Sequence, residues 1–381
     1  MKKTLQEIPM HSSRRGLDLK IYRSIFRENY LRAAKFLRPD FTPCRVVLTR
    51  AMFYIYREKL VEIIKKYPLA FPDHNLDEIK LDKTPRDLYE DRYVRDVFGT
   101  LWRYRIAGLG PQPHQYPLED LNRVKDWSLP DPEEGYPLGY ADPKPMISWE
   151  ELFNYFDKLK EQGRIIGFSL HHFLFQKLMD VVPLNKLTLA IYRGDEKFLI
   201  ALKKIADYQY GLLKIAKKYS KGIDVVLFLE DLGSQTSPLI RIEHLRKYFL
   251  PYYKKFFEEV KSMNSLVYFH SDGMIAPLFD TILEAEPDIL NIQDLNGVEN
   301  ISVKLKGRIC IDLDIDRQKL IPYGSREDIY RHIQNVVEKL NTENGGLMIH
   351  IEVYPPTPLE NIEYLAQSCY KYCLKIEQSS T

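Results

Sequence analysis

From residue 148 almost to its end the chain alternates between helical apolar spacing and short β-branched runs, and this restricts the fold more than any other feature. The runs predict strands at 164–169, 223–229, 265–269, 289–292, 308–313 and 347–353. Between them, helical spacing and stop signals such as Lys221-Gly222 predict helices at 149–162, 195–219, 242–263, 274–285, 298–304, 326–340 and 358–375. Upstream, helices at 18–37 and 51–67 flank a strand at 45–49. The run from Ile223 to Leu229 is largely apolar and β-branched, as a strand covered on both faces requires. Strands separated by helices pair in parallel, so the expected class is α/β, and repeated βα units over most of 381 residues fit a (β/α)8 TIM barrel better than an open sheet. No G-x-G-x-x-G follows a strand, which counts against a dinucleotide fold.

The expected organisation is one barrel domain over 1–375, with an N-terminal helical extension at about 1–40 and a Pro-rich excursion at about 105–147. Pro111, Pro113, Pro117, Pro130, Pro132, Pro137, Pro143 and Pro145 make that stretch a long irregular connection, and such loops in compact domains are often functional.

Charge excludes some partners. Against 55 Lys+Arg stand 53 Asp+Glu, a net +2 that lacks the basic surplus of a phosphate binder, so no nucleic-acid partner is expected. A 45% apolar, 12% aromatic composition excludes an acidic disordered chain. No apolar run approaches the ~20 residues of a membrane span, and Met1 to Arg15 has no apolar signal core. Cys44, Cys310, Cys369 and Cys373 form no C-x-x-C and suit a reducing compartment, so a cytoplasmic protein is expected. Cys369 and Cys373 sit four apart on an expected helix and face one side; a zinc pair there needs two further ligands.

In a barrel of this kind the chemistry lies at the C-terminal strand ends. There the sequence places Glu230-Asp231-Leu232-Gly233-Ser234-Gln235, His270-Ser271-Asp272-Gly273, Gln293-Asp294, then Asp312, Asp314 and Asp316, and finally His350, Glu352 and Tyr354. Converging acids and imidazoles perturb one another unless they are paired or metal-bound. Each also has a plain structural explanation: Asp231 and Asp272 as helix caps, His270 as a satisfied core histidine, Asp312 as a solvated residue. Glu352 is the hardest to explain so, because a buried carboxylate without a partner is costly.

These strand ends, with Asp96-Val97-Phe98-Gly99-Thr100-Leu101-Trp102-Arg103, Gly108-Leu109-Gly110, Pro117-Leu118, Asp316 to Gly324, Gly345-Gly346 and Pro355 to Ile362, resemble the uroporphyrinogen decarboxylase superfamily over roughly residues 30 to 375. That superfamily also holds the cobalamin-dependent methyltransferases. The resemblance implies a (β/α)8 barrel but leaves the reaction open. In the decarboxylases two arginines after the first strand hold substrate carboxylates; Arg50 matches the first, while Tyr54 stands where the second belongs. Asp96 aligns with the pyrrole-binding aspartate. In the zinc-containing methyltransferases a His-x-Cys-Gly motif and a later Cys activate a thiol; here His270 is in place, Asp272 replaces the first Cys, and His350 is the best substitute for the second.

The leading expectation is therefore an enzyme, a corrinoid-dependent methyltransferase acting on a small methylated substrate, with cobalamin carried by a partner corrinoid protein. His270, Asp272 and Asp231 are the expected catalytic residues, and His270, His350 and Glu352 would hold zinc or another divalent metal. Arg50, Tyr54, Asp96, Trp102, Arg103, Gln235, Gln318 and Tyr354 would bind substrate. The alternatives are a decarboxylase of a tetrapyrrole or other multi-carboxylate, using Arg50, Arg103, Arg105 and Arg317, or a non-catalytic binding member. Homodimerisation stays open.

Overall fold

The computed structural model describes residues 19–74, 81, 92–106, 108–138, 146–219 and 222–376. Met1 to Arg15, Asp18, Pro143, Pro145 and Lys221, which figure in the expectations above, lie outside the described residues. The chain divides into two compact units, one of Met1–Leu88, Lys160–Arg164 and Ile289–Thr381, the other of Tyr89–Leu159 and Ile165–Asp288.

Seven strands among the described residues carry the architecture: β1 (Cys44–Leu48), β2 (Gly167–Leu170), β3 (Val225–Glu230), β4 (Leu266–Ser271), β5 (Ile289–Gln293), β6 (Cys310–Asp314) and β7 (Leu347–Val353). In the first unit the order is β1-β7-β6-β5, every pair parallel, with Cys44 opposite Ile349, Leu313 opposite Ile349 and Ile289 opposite Cys310. In the second unit β2-β3-β4 are parallel, with Gly167 opposite Val225 and Leu229 opposite His270. β5 and β6 are buried at every position, although Asn291, Gln293, Asp312 and Asp314 alternate with apolar residues along them. Each strand expected from the sequence is present, its ends shifted by at most three residues, and the parallel α/β architecture is as expected. The count is one below the eight of a (β/α)8 barrel.

The helix Arg326–Leu340 matches its expected bounds because its signals agree. Ser325 and Asp328 form a reciprocal capping box, and Ile329, Ile333, Val336 and Leu340 make one buried stripe. Two other expected helices are interrupted at prolines. Pro251 has no N–H to donate and crowds the preceding turn, so 242–263 becomes Ile242–His244, a π-helical turn Leu245–Phe249 and Leu250–Lys261. Pro277 leaves a 3-10 turn Ala276–Leu278 before the short helix Phe279–Leu283.

The sequence reading missed the helices Leu174–Val181 and Leu184–Arg193, separated by Pro183 and followed by Gly194 in the left-handed conformation at φ 64°. It also missed an antiparallel meander of Arg92–Arg95, Leu101–Tyr104 and Gln112–Gln115. Besides the strand Gln112–Gln115, the described residues of the Pro-rich excursion hold 3-10 turns at Leu121–Lys125 and Pro132–Glu134 and a two-residue pairing of Tyr136–Pro137 with Met146–Ile147. No described helix is long and apolar enough to cross a membrane.

Candidate active site

In the second unit, the exits of β3 and β4 bring Asp231, His270 and Asp272 together, with one ligand atom from each within 4.8 Å of the others. His270 Nε2 lies 3.7 Å from Asp231 Oδ1 and 3.6 Å from Asp272 Oδ1. All three side chains are partly exposed, so the cluster is reachable from solvent. Residues two apart on an extended strand point the same way, which puts His270 and Asp272 on one side while Ser271 turns inward and is fully buried.

The two loops bearing these groups are fastened together by hydrogen bonds. Leu232 donates its N–H to Ser271 Oγ at 2.9 Å, and Met274 donates its own to Ser234 O at 2.7 Å. Gly233 and Gly273 pass so closely that a Cβ on Gly273 would lie 2.3 Å from the Gly233 carbonyl carbon, and Gly273 is also at φ +86°. The glycines thus permit the approach that sets the separation of Asp231 from Asp272.

Beside them, Glu230 is buried and serves the fold. Its carboxylate accepts N–H bonds from Leu174, Phe175 and Gln176 at the start of a helix and the hydroxyl bond of Tyr253 at 2.8 Å. Burial pushes this carboxyl up to about 7 against the pull of those donors.

The exit of β2 contributes His171 and His172. His172 Nδ1 lies 2.8 Å from Asp180 Oδ2, an oxygen that also accepts from Lys177 Nζ at 2.8 Å. Asp180 and Lys177 are 1% and 3% exposed, so this is a dry cation–carboxylate–imidazole set. Burial alone would raise the Asp180 carboxyl; His172 and Lys177 outweigh it and hold it below its ordinary value. His171 is pushed down to about 3, by burial first and then by His172 and Lys177, and is a neutral imidazole at physiological pH. Sequence reasoning passed over this pair, although His171-His172 directly follow a strand and satisfy the criterion that singled out His270.

In the first unit the acidic strand ends are paired. Arg317 Nη1 lies 2.6 Å from Glu352 Oε2 and 3.2 Å from Asp314 Oδ2, and Tyr354 donates its hydroxyl to Glu352 Oε2 at 2.8 Å. Burial would raise the Glu352 carboxyl, but the hydrogen bond and charge of His350, then Arg317 and Tyr354, hold it far below its ordinary value. His350 Nε2 is 3.4 Å from Glu352 Oε1. Asp312 meets Arg45 at 3.2 Å, and Asp294 meets His332 at 2.8 Å and accepts from the Asp316 amide at 3.0 Å. Arg317, which sequence reasoning held in reserve for carboxylate binding, is thus the hinge of this network.

The other sequence-designated residues are more scattered. Asp96 accepts from the amides of Phe98 and Thr100 in its own loop and from Trp102 Nε1 on the following strand. Trp102 is 2% exposed and meets the His172 ring edge-on at 6.1 Å. The Arg103 guanidinium lies 5.5 Å from the Tyr93 ring centroid. Arg50, Tyr54, Gln235 and Gln318 are exposed.

The donor set decides which metal chemistry fits. Thiol activation by zinc needs a thiolate at the strand ends, whereas Cys44 and Cys310 open β1 and β6 and Cys369 and Cys373 lie in the last helical turns. One imidazole and two carboxylates instead suit a borderline or hard divalent cation.

The profile of the family described as "Uroporphyrinogen decarboxylase (URO-D)" matches residues 175–372, which include Glu230 to Gln235, His270 to Gly273 and Asp316 to Gly324. Among solved structures, a methyltransferase from Methanosarcina mazei is similar at a TM-score of 0.61 and 13% identity, covering 90% of this chain and 97% of that one. A D-psicose 3-epimerase reaches a TM-score of only 0.38 at 7% identity, covering 60% and 85% of the two chains. No curated protein matches the sequence. The likeness to the methyltransferase shows a shared fold, and the profile spans more than half of the chain: the protein belongs to the uroporphyrinogen decarboxylase family.

Proposed function

We propose that the protein is a corrinoid-dependent methyltransferase that removes a methyl group from a small oxygen- or nitrogen-methylated compound, on the closed barrel that the family favours. The convergence of Asp231, His270 and Asp272 at two adjacent strand ends carries this reading. Two carboxylates within 4 Å of one imidazole nitrogen create a demand for positive charge, which a divalent cation meets. The metal shell would then be Asp231, His270 and Asp272 rather than His270, His350 and Glu352, because Glu352 already answers to Arg317 and Tyr354.

When bound, the ion supplies Lewis acidity at the heteroatom that carries the methyl group. A partner corrinoid would supply cobalt(I) as the two-electron nucleophile that takes the methyl as a cation, the electron pair of the C–O or C–N bond staying on the heteroatom. Asp231 and His270 fix the ligand positions from β3 and β4, and the Gly233–Gly273 contact keeps them in register. Gln235, exposed on the same loop as Asp231, orients the substrate.

The test supplies purified protein with Mn2+ or Zn2+, reduced cobalamin and a panel of methylamines and methoxy compounds, and follows methylcobalamin by absorbance. Metal-dependent methylation that His270→Ala abolishes supports the reading; no methylation with any substrate contradicts it. Loss of carboxylates from a reduced porphyrinogen in a parallel incubation would establish the decarboxylase instead.

A further inference from the structure

Three of the four cysteines meet at one point. Cys44, Cys369 and Cys373 each place a sulfur within 4.8 Å of the other two, and all three are fully buried. They come from distant parts of the sequence. Cys44 opens β1, while Cys369 and Cys373 bound a π-helical turn that ends the helix Leu359–Ser368. Such turns are rare, and this one holds two sulfurs four residues apart facing the start of β1. The amide of Thr42 donates to the Cys373 carbonyl at 3.2 Å and ties the turn to the strand.

Buried free cysteines are usually small apolar fillers. Filling a core does not require three of the four cysteine sulfurs to converge on one point, as these do. Three thiolates alone in a dry interior are prohibitively costly, whereas a soft cation among them cancels most of the charge. The cluster lies at the N-terminal end of β1, opposite the end where Thr49 and Arg50 leave the strand. In barrels of this family that end carries stability rather than chemistry.

We propose that Cys44, Cys369 and Cys373 form a buried three-thiolate site for a soft d10 cation, three-coordinate copper(I) or zinc(II) with a fourth ligand from outside the cluster, distinct from the Asp231–His270–Asp272 cluster. Binding replaces the three S–H bonds with metal–sulfur bonds and releases their protons. The ion fastens the last helical turns to the first strand, joining chain ends more than 300 residues apart.

The test measures zinc and copper by mass spectrometry in the full chain purified without chelator, with X-ray absorption at the edge of the metal found. The expected result is one ion per chain with three sulfurs in its shell, at about 2.3 Å for zinc, the edge identifying the element. Cd2+ added to metal-stripped protein should give a thiolate-to-cadmium absorption band that Cys310→Ala retains and Cys369→Ala loses. Because Cys369→Ala can fail to fold, thiols are also counted in unfolded wild-type protein. A folded wild type that holds no metal and gives no cadmium band overturns the proposal, as does a count of two thiols, which reveals a disulfide.

Discussion

His270 Nε2 stands 3.6 Å from Asp272 Oδ1, a pairing that a His-x-Asp sequence at a strand end creates by the two-residue repeat of extended backbone. Asp231 reaches the same nitrogen from β3, so His270→Ala or Asp272→Asn removes a direct ligand of the proposed ion. Each should weaken Mn2+ binding in calorimetry by more than the roughly 10- to 100-fold that follows loss of an outer-shell partner. Unchanged affinity in both variants would place the ion elsewhere.

Gly273→Ala tests the loop clamp. A Cβ there meets the backbone of Gly233 at 2.3 Å and must sit at φ +86°, so the β3 and β4 exits have to separate. The variant should lower Tm and weaken the ion at Asp231–His270–Asp272 while leaving the thiol count unchanged. Wild-type Tm and affinity together would contradict the clamp.

Asp180→Asn leaves Lys177 buried beside a neutral group. Removing one partner of a buried pair costs about 3–5 kcal/mol, read from urea unfolding. Asp180 and Lys177 are almost completely buried, so solvent offers little compensation. A cost below about 1 kcal/mol, the range of surface pairs, would contradict the dry set at the β2 exit.

His171 predicts a pH dependence. Its folded value, near 3, lies below the ordinary 6.5, so between those limits the unfolded chain binds a proton that the folded chain does not. Stability therefore rises with pH in that window and is lost as pH falls below about 6.5, by up to about 1.4 kcal/mol per unit from this group. His171→Gln should flatten the slope between pH 7 and pH 5 in denaturant titrations. An equal slope in the variant would show that other groups carry it.

The parallel strands were legible because β3 is a nearly continuous apolar run, and the short apolar runs of β5, β6 and β7 are interrupted only by Asn291, Gln293, Asp312, Asp314, His350 and Glu352. The helices at 174–193 were not: the segment has a buried helical stripe of Leu174, Leu178, Leu187 and Ile191, but Pro183 breaks its period midway. At the site, His270 and Asp272 were legible from positions two apart at one strand end. Their pairing with Asp231 depends on how β3 aligns with β4, and Arg317's hold on Glu352 joins residues 35 apart, which no local pattern encodes. The cysteine cluster was half legible: Cys369 and Cys373 share a helix face, and only the fold supplies Cys44.

The most direct measurement is anomalous scattering from crystals grown with Mn2+, an ion that prefers oxygen and nitrogen donors to thiolates. The proposed function requires a peak bounded by Asp231, His270 and Asp272 in wild-type protein and its loss in His270→Ala. A wild-type crystal whose ordered manganese lies elsewhere, with those three side chains unliganded at saturating metal, would contradict it.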